Sequence, residues 1–444
     1  SVTFLVRMED VTGKMLEGIT ADMTEAERDE KLKENSDTLV KAAIEGTHYK
    51  ARVKPFYHGN EFYLFVTEVY EDVRLVGAPP SNIGKFGGDT DNWMWPRHTG
   101  DFSVFRIYAD SNNKPAKYSE DNVPYKPKYH FPINLQGTDE GDFTFVFGYP
   151  GSTQQYIPAC RVEHISEVVN PIRIELRGQR LDIIKKYVDK DDLVRIQYAS
   201  KSAGIANGWK KWIGENKGIA RTKVIERKKI HEREFSWWVS TSPERKETYG
   251  QVVKEFNQLY DKISPLEREM AYVSESIFGI EIIRMSRYFE RLVKASQNKE
   301  ATDEDIEKAV ASMKRTAASF FKNYHQPLDK ETFIAMVGAY LEMADPAYRP
   351  EEIAIVDKKF KGDVVAYADY IYEESIMGSE EAVNDFLDGY KQKSYKKVLK
   401  DPAYKLAAAF AAKYNSDFRP ELMKYYAKDD SLQRIYMKGL MEFQ

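Results

Sequence analysis

Gly84-Lys85-Phe86-Gly87-Gly88-Asp89-Thr90-Asp91-Asn92-Trp93-Met94-Trp95-Pro96-Arg97-His98-Thr99-Gly100-Asp101 leads directly into Phe102-Ser103-Val104-Phe105-Arg106-Ile107-Tyr108. The first part is polar, glycine-rich and aromatic at once. Ordering such a loop loses entropy with no apolar face to offset it, so a ligand or a reaction is the usual reason to keep it ordered. The second part sets Phe102, Val104 and Arg106 against Ser103, Phe105 and Ile107. That alternation predicts a half-buried strand opening at Asp101.

Upstream, Val2–Arg7 reads as a strand, and the cap residues of 20–25 precede a charged helix running to about Gly46. Its apolar stripe is Leu32, Leu39, Val40, Ala43 and Ile44. Tyr49–Tyr57 and Glu61–Tyr70 alternate on either side of Gly59-Asn60, which predicts a hairpin. Val73–Val76 is a further short strand before Pro79-Pro80.

Downstream, Asp110–Lys128 is a proline-rich connection, Thr144–Gly151 an apolar strand, and Tyr156–Val162 its expected partner. Residues 1–165 therefore read as mostly β, with strands at barrel-like spacing. From Val168 the period becomes helical, with long patterned stretches at Tyr249–Ile263 and Met270–Ala295 and a helix start at Ala301–Asp305. Residues 166–444 read as an all-α domain, and the whole as an α+β multidomain chain.

A chain of 444 residues with net charge -4 and 13% aromatic residues is neither disordered nor a strongly basic nucleic-acid binder. No run of ~18 apolar residues offers a membrane span. Cys160 stands alone, which excludes an internal disulfide in this chain. Ser1 follows neither a methionine nor a leader, and Arg434–Phe443 is a helical pattern without a cap. Both ends read as cuts from a longer protein. The basic, aromatic run Asn207-Gly208-Trp209-Lys210-Lys211-Trp212 fits stacking on single-stranded nucleic acid, or lysines lying over buried tryptophans. The near-neutral total charge favours the second, so no nucleic-acid partner is expected.

Asp101 can be read as a turn aspartate capping local amides, or as the carboxylate that orients a catalytic imidazole. His98 is three residues away, but that spacing aims the two side chains apart and no serine nearby has a nucleophile-elbow setting. His98 is therefore read as a loop histidine. The remaining histidines show no metal-ligand spacing, so neither a metal nor another cofactor is expected. Asp89, Asp91, Asn92 and Trp93 combine acceptors with a flat wall, which suits a cationic amine such as a peptide N-terminus; the other reading is an Asx-turn around a buried tryptophan.

The run from Gly87 to Ser103 resembles the bacterial serine exopeptidases of the dipeptidyl-peptidase 7 and 11 family. Ala78-Pro79-Pro80-Ser81, Phe147-Gly148-Tyr149-Pro150-Gly151-Ser152-Thr153 and Ala206–Gly214 extend the likeness. The resemblance implies a chymotrypsin-like double β-barrel, represented in part by residues 1–165, with 166–444 as a helical cap over the substrate cleft. It implies that Asp101 is the triad acid, that Asn92 and Trp93 grip the substrate's free N-terminus, and that Asn207 bonds its main chain. It also implies oligopeptide substrates, a homodimeric parent, and the periplasm or cell surface of a Gram-negative bacterium, without membrane insertion. The family's histidine, in Asn-His-His, and its serine, in Gly-Asn-Ser-Gly-Ser, have no counterpart in residues 1–444. The expectation is thus a fragment inactive alone, from a parent that cuts after Asp or Glu; the alternative is a non-catalytic peptide-binding or helical interaction module.

Overall fold

Thr24 starts the first long element. Its hydroxyl accepts the Glu27 amide at 3.3 Å and the Glu27 carboxylate accepts the Thr24 amide at 2.8 Å, a capping box ahead of the Glu25–Ile44 helix. In this computed structural model, which describes residues 1–20, 22–145 and 154–444, that helix packs Leu32, Leu39, Val40 and Ala43 on a three-stranded sheet. The strands are β1 (Val2–Asp10), β2 (Lys50–Phe56) and β3 (Glu61–Tyr70). β3 lies centrally, antiparallel to both neighbours, with Val2 opposite Tyr70 and Lys50 opposite Thr67. Its alternation is real: Phe62, Leu64, Val66 and Tyr70 are buried.

A second antiparallel sheet joins β4 (Val73–Gly77), β5 (Val104–Ala109) and β6 (Val123–Pro124), with β5 in the middle. The Asp72 carboxylate pins its edge, accepting from Arg74 Nε at 2.9 Å, Arg74 Nη2 at 2.8 Å and Asn122 Nδ2 at 2.8 Å. The Arg74 hydrogen bonds, then that of Asn122, hold its pKa down at about 2.

β5 starts at Val104, not at Asp101, and its first residues do not alternate in burial. Val104 and Phe105 are both exposed, as are Leu75 and Val76 on β4. Among the described residues these two open sheets are all the β-structure, and neither closes into a barrel. The strand expected over Thr144–Gly151 falls mostly outside the described residues, and Thr144 and Phe145 are irregular.

Tyr156–Val162 is not a strand. Helix begins at Ala159, because Pro158 pre-sets the turn and the buried Glu232 carboxylate accepts the Ala159 amide at 2.7 Å. Ala159–Glu163 passes through a π-helical turn, His164–Val169, into Asn170–Val188. The rest is helical. The stretch Met270–Ala295 is two helices, Val252–Glu275 and Glu281–Gln297, because Asp329 accepts the amides of Glu281 at 2.6 Å and Ile282 at 2.8 Å and so starts a new helix there. Ile282, Ile283, Met285, Phe289 and Leu292 then form the middle of the largest apolar core. A smaller one joins Phe235, Phe256 and Tyr436, the second of them on the Val252–Glu275 helix. Among the described residues no helix is long and apolar enough to cross a membrane.

Candidate functional site

The loop between β4 and β5 is organised from inside by Asp91. Its Oδ2 accepts the His98 amide at 2.5 Å and the Thr99 hydroxyl at 3.1 Å, and its Oδ1 lies 2.9 Å from His98 Nδ1. A carboxylate only accepts, so Nδ1 carries the proton and Nε2 faces away from Asp91. The His98 hydrogen bonds, then that of Thr99, bring the Asp91 pKa down to about 2. Gly87 is required by this arrangement: a Cβ there would sit 1.9 Å from Asp91 Oδ2. His98 is therefore not a free loop histidine, and Asp91 is not an exposed acceptor for an amine. It is buried and spent on the loop itself.

With Asp91 turned inward, Asn92 and Trp93 project outward. Trp93 adopts φ +61°, a strained conformation for a bulky residue, and strain of this kind persists only where the surroundings impose it. The cause lies across the molecule on the Asp192–Arg221 helix. Asn207 Oδ1 accepts from Asn92 Nδ2 at 2.9 Å and from Trp93 Nε1 at 2.9 Å. An indole N–H can only donate, so the Asn207 atom facing it must be the carbonyl oxygen. The Asn92 atom facing that oxygen must then be its NH2 group. This assignment leaves the Asn92 carbonyl oxygen and the Asn207 NH2 group without partners among the described residues. One acceptor and one donor, beside an indole that is half exposed, is the set that an ammonium followed by a peptide carbonyl requires.

The rest of the Asn207 motif holds the helix in place. Trp209 Nε1 donates to Ile174 O at 3.1 Å, and the Trp212 ring lies 5.0 Å from the Arg173 guanidinium and 4.4 Å from that of Arg177. Gly208 admits Arg177, whose Nη1 would lie 2.5 Å from a Cβ at that position. Arginines of the neighbouring Asn170–Val188 helix thus lie over the Trp212 ring, and the backbone of that helix takes the Trp209 N–H.

Of the residues singled out in the sequence, Asn92, Trp93 and Asn207 come together. Asp101 does not join them: it is exposed, precedes β5 by three positions, and accepts no hydrogen bond from any described residue. The Asp91–His98 pair escaped the sequence reading because a buried carboxylate in a glycine-rich loop leaves no periodic trace. Among the described residues no group of side chains is set to hold a metal ion.

The glycine-rich loop of this α+β chain is thus tied to the helical array at Asn207, beside an exposed tryptophan. The family model for Peptidase S46 matches residues 1–444, and the chain belongs to that family. It is 38% identical over 449 residues to the Asp/Glu-specific dipeptidyl-peptidase of Flavobacterium psychrophilum, covering 99% of this chain and 61% of that protein. It is also 38% identical over 449 residues to the dipeptidyl-peptidase 7 of Porphyromonas gingivalis, covering 100% and 61%. In structure it is similar to Porphyromonas endodontalis DPP11 in complex with the dipeptide Arg-Glu, with a TM-score of 0.80 and 32% identity over 100% of this chain and 63% of that one. The chain spans about three fifths of the length of these relatives.

Proposed function

We propose that this chain supplies the amine-anchoring part of a serine dipeptidyl-peptidase that removes dipeptides from the free N-terminus of oligopeptides. The observation that carries the reading is the convergence of Asn92 and Trp93 on Asn207 Oδ1. The Asn92 carbonyl and the Trp93 ring receive the substrate ammonium, and the Asn207 NH2 group donates to the first peptide carbonyl. Holding the amine at a fixed place selects the bond two residues in, which is how an exopeptidase counts. Asp101 is assigned as the triad acid on its Gly100-Asp101-Phe102-Ser103 setting. The nucleophilic serine and its histidine base are those of Gly-Asn-Ser-Gly-Ser and Asn-His-His motifs, neither of which occurs in residues 1–444.

The two open sheets are read as part of a chymotrypsin-like double barrel, 1–165, and the helices of 166–444 as its cap. The exposed apolar faces of Leu75, Val76, Val104 and Phe105 support this, since further strands would cover them. Cleavage after Asp or Glu is the specificity assigned, in line with the Asp/Glu-specific relatives. A homodimeric protein of the periplasm or cell surface completes the reading.

The test is calorimetric titration of the chain with Arg-Glu and with its N-acetylated form. Acetylation removes the ammonium and with it a charge-assisted hydrogen bond, so binding should weaken about tenfold or more. Asn92→Ala should bring the two ligands level. Equal affinity of the two forms for the unmutated chain would overturn the assignment.

A further inference from the structure

One face of the Asp192–Arg221 helix borders a cavity of about 250 Å³, distinct from the loop site, with Ile184, Tyr198 and Leu328 of a small apolar cluster in its wall. Four cationic side chains line it, Arg177, Arg180, Lys201 and Arg284, against two acidic ones, Glu281 and Asp329.

Neither acid is free to neutralise what remains. Asp329 accepts two backbone amides and the hydroxyls of Tyr372 at 2.7 Å and Tyr324 at 3.2 Å, which fills its lone pairs. Glu281 is engaged by Lys201 at 2.6 Å and Arg284 at 3.3 Å. Glu275, behind the wall, holds Arg177 through two bonds of 2.8 and 3.0 Å.

Arg180 is left over. Its nearest carboxylate oxygen, on Glu275, is 3.8 Å away, and its guanidinium makes no hydrogen bond among the described residues. Burial lowers the Arg180 pKa, and the Arg177 and Arg284 charges add to that against the pull of Glu275. A guanidinium offers five donors, and leaving them unmet in a mostly buried place is costly.

The helix also keeps the space open. Gly204 lines the cavity in mid-helix, where glycine is less favourable than alanine, yet a Cβ there would meet nothing within 4 Å. Space and unmet donors occur at the same place.

We propose that this cavity is a binding site for a small carboxylate-bearing anion, held chiefly by Arg180 with Lys201 beside it. The ligand is either a free organic acid or the acidic side chain of a peptide, and the two share the same recognition chemistry. The site is independent of the amine reading, because neither probe below carries an amine.

The test is calorimetric titration of the chain with sodium succinate and, separately, with N-acetyl-aspartate amide. At least one should bind, and Arg180→Gln should weaken it about tenfold or more, the cost of one charge-assisted contact. Gly204→Leu should abolish binding by filling the space while leaving the melting temperature of the ligand-free chain unchanged or higher. This second variant keeps the test decisive if Arg180→Gln does not fold. Succinate alone binding assigns the site to free acids; binding of the blocked aspartate assigns it to peptide side chains; either outcome supports the site. No binding of either probe, or binding that survives Gly204→Leu, would overturn it.

Discussion

Replacing Asn207 by alanine removes one oxygen and two hydrogen bonds, those from Asn92 and Trp93. At a net ~0.5–1.5 kcal/mol each, the loop loses about 1–3 kcal/mol of its hold on the helix. The left-handed Trp93 backbone pushes the effect toward the upper end, because its strain is no longer opposed. The Lys210 ammonium, 3.4 Å from Thr90 O, remains as a weaker tie. With about 1.4 kcal/mol per factor of ten, local opening should increase roughly 5- to 150-fold. Hydrogen exchange reads this directly at the Met94, His98 and Gly100 amides, which donate to Asp91 O, Asp91 Oδ2 and Ile83 O within the closed loop. Asn207→Asp keeps an acceptor for both donors and should exchange like the unmutated chain. If Asn207→Ala leaves those amides within twofold of the original, the loop does not depend on Asn207 and the account of the site is wrong.

Gly87→Ala should displace the Asp91 carboxylate and raise exchange at His98 about tenfold or more, since overpacking of this kind costs ~1–3 kcal/mol. Asp91 has a folded pKa held near 2, below its ordinary value, so the stability it lends is present above about pH 4 and is lost as pH falls through about 2. Protection of the His98 amide, corrected for intrinsic rates, should therefore hold down to about pH 4, fall through pH 3 and be lost below about pH 2; loss already at pH 5 would contradict it. Thr24→Ala removes the capping box and should lower stability by about 1 kcal/mol, seen as a lower urea midpoint with unchanged slope.

What the sequence shows plainly is what depends on neighbours in sequence. The alternation of Phe62, Leu64 and Val66 and the cap at Thr24 are local, and both are present in the fold. The failures are long-range. The expected strand at Tyr156–Val162 turns helical at Ala159 because of Glu232, 73 residues away, and Met270–Ala295 is broken because of Asp329, 48 residues from Glu281. The site divides the same way. Asn92, Trp93 and Asn207 are visible only through a motif, since a hydrogen bond spanning 115 residues has no period to detect. The sequence leaves Asp91 open between an amine site and a turn that caps its own loop, and only the fold turns it inward.

The β part and the helices are joined by polar contacts rather than by a shared apolar core. Each buried apolar cluster lies wholly on one side: Val11, Phe62 and Val66 with the first helix, and the others among the helices beyond Ala159. Among the described residues, side-chain hydrogen bonds cross between them at two places. One is the Asn207 cluster; the other is Arg434, which bonds Glu25 at 2.6 and 3.0 Å and accepts Asn60 Nδ2 on its carbonyl at 2.9 Å. The two ties should answer differently to salt. Debye screening falls to about 3 Å at 1 M salt, so the partly exposed Arg434–Glu25 pair weakens while the neutral amide and indole bonds do not. Exchange should therefore rise around the β2–β3 turn in 1 M sodium chloride and stay level at Met94 and His98. An equal response at both places would mean that the amine-anchoring loop is held by the same ionic contacts, and the hydrogen-bond geometry would lose its place as the determinant of the site.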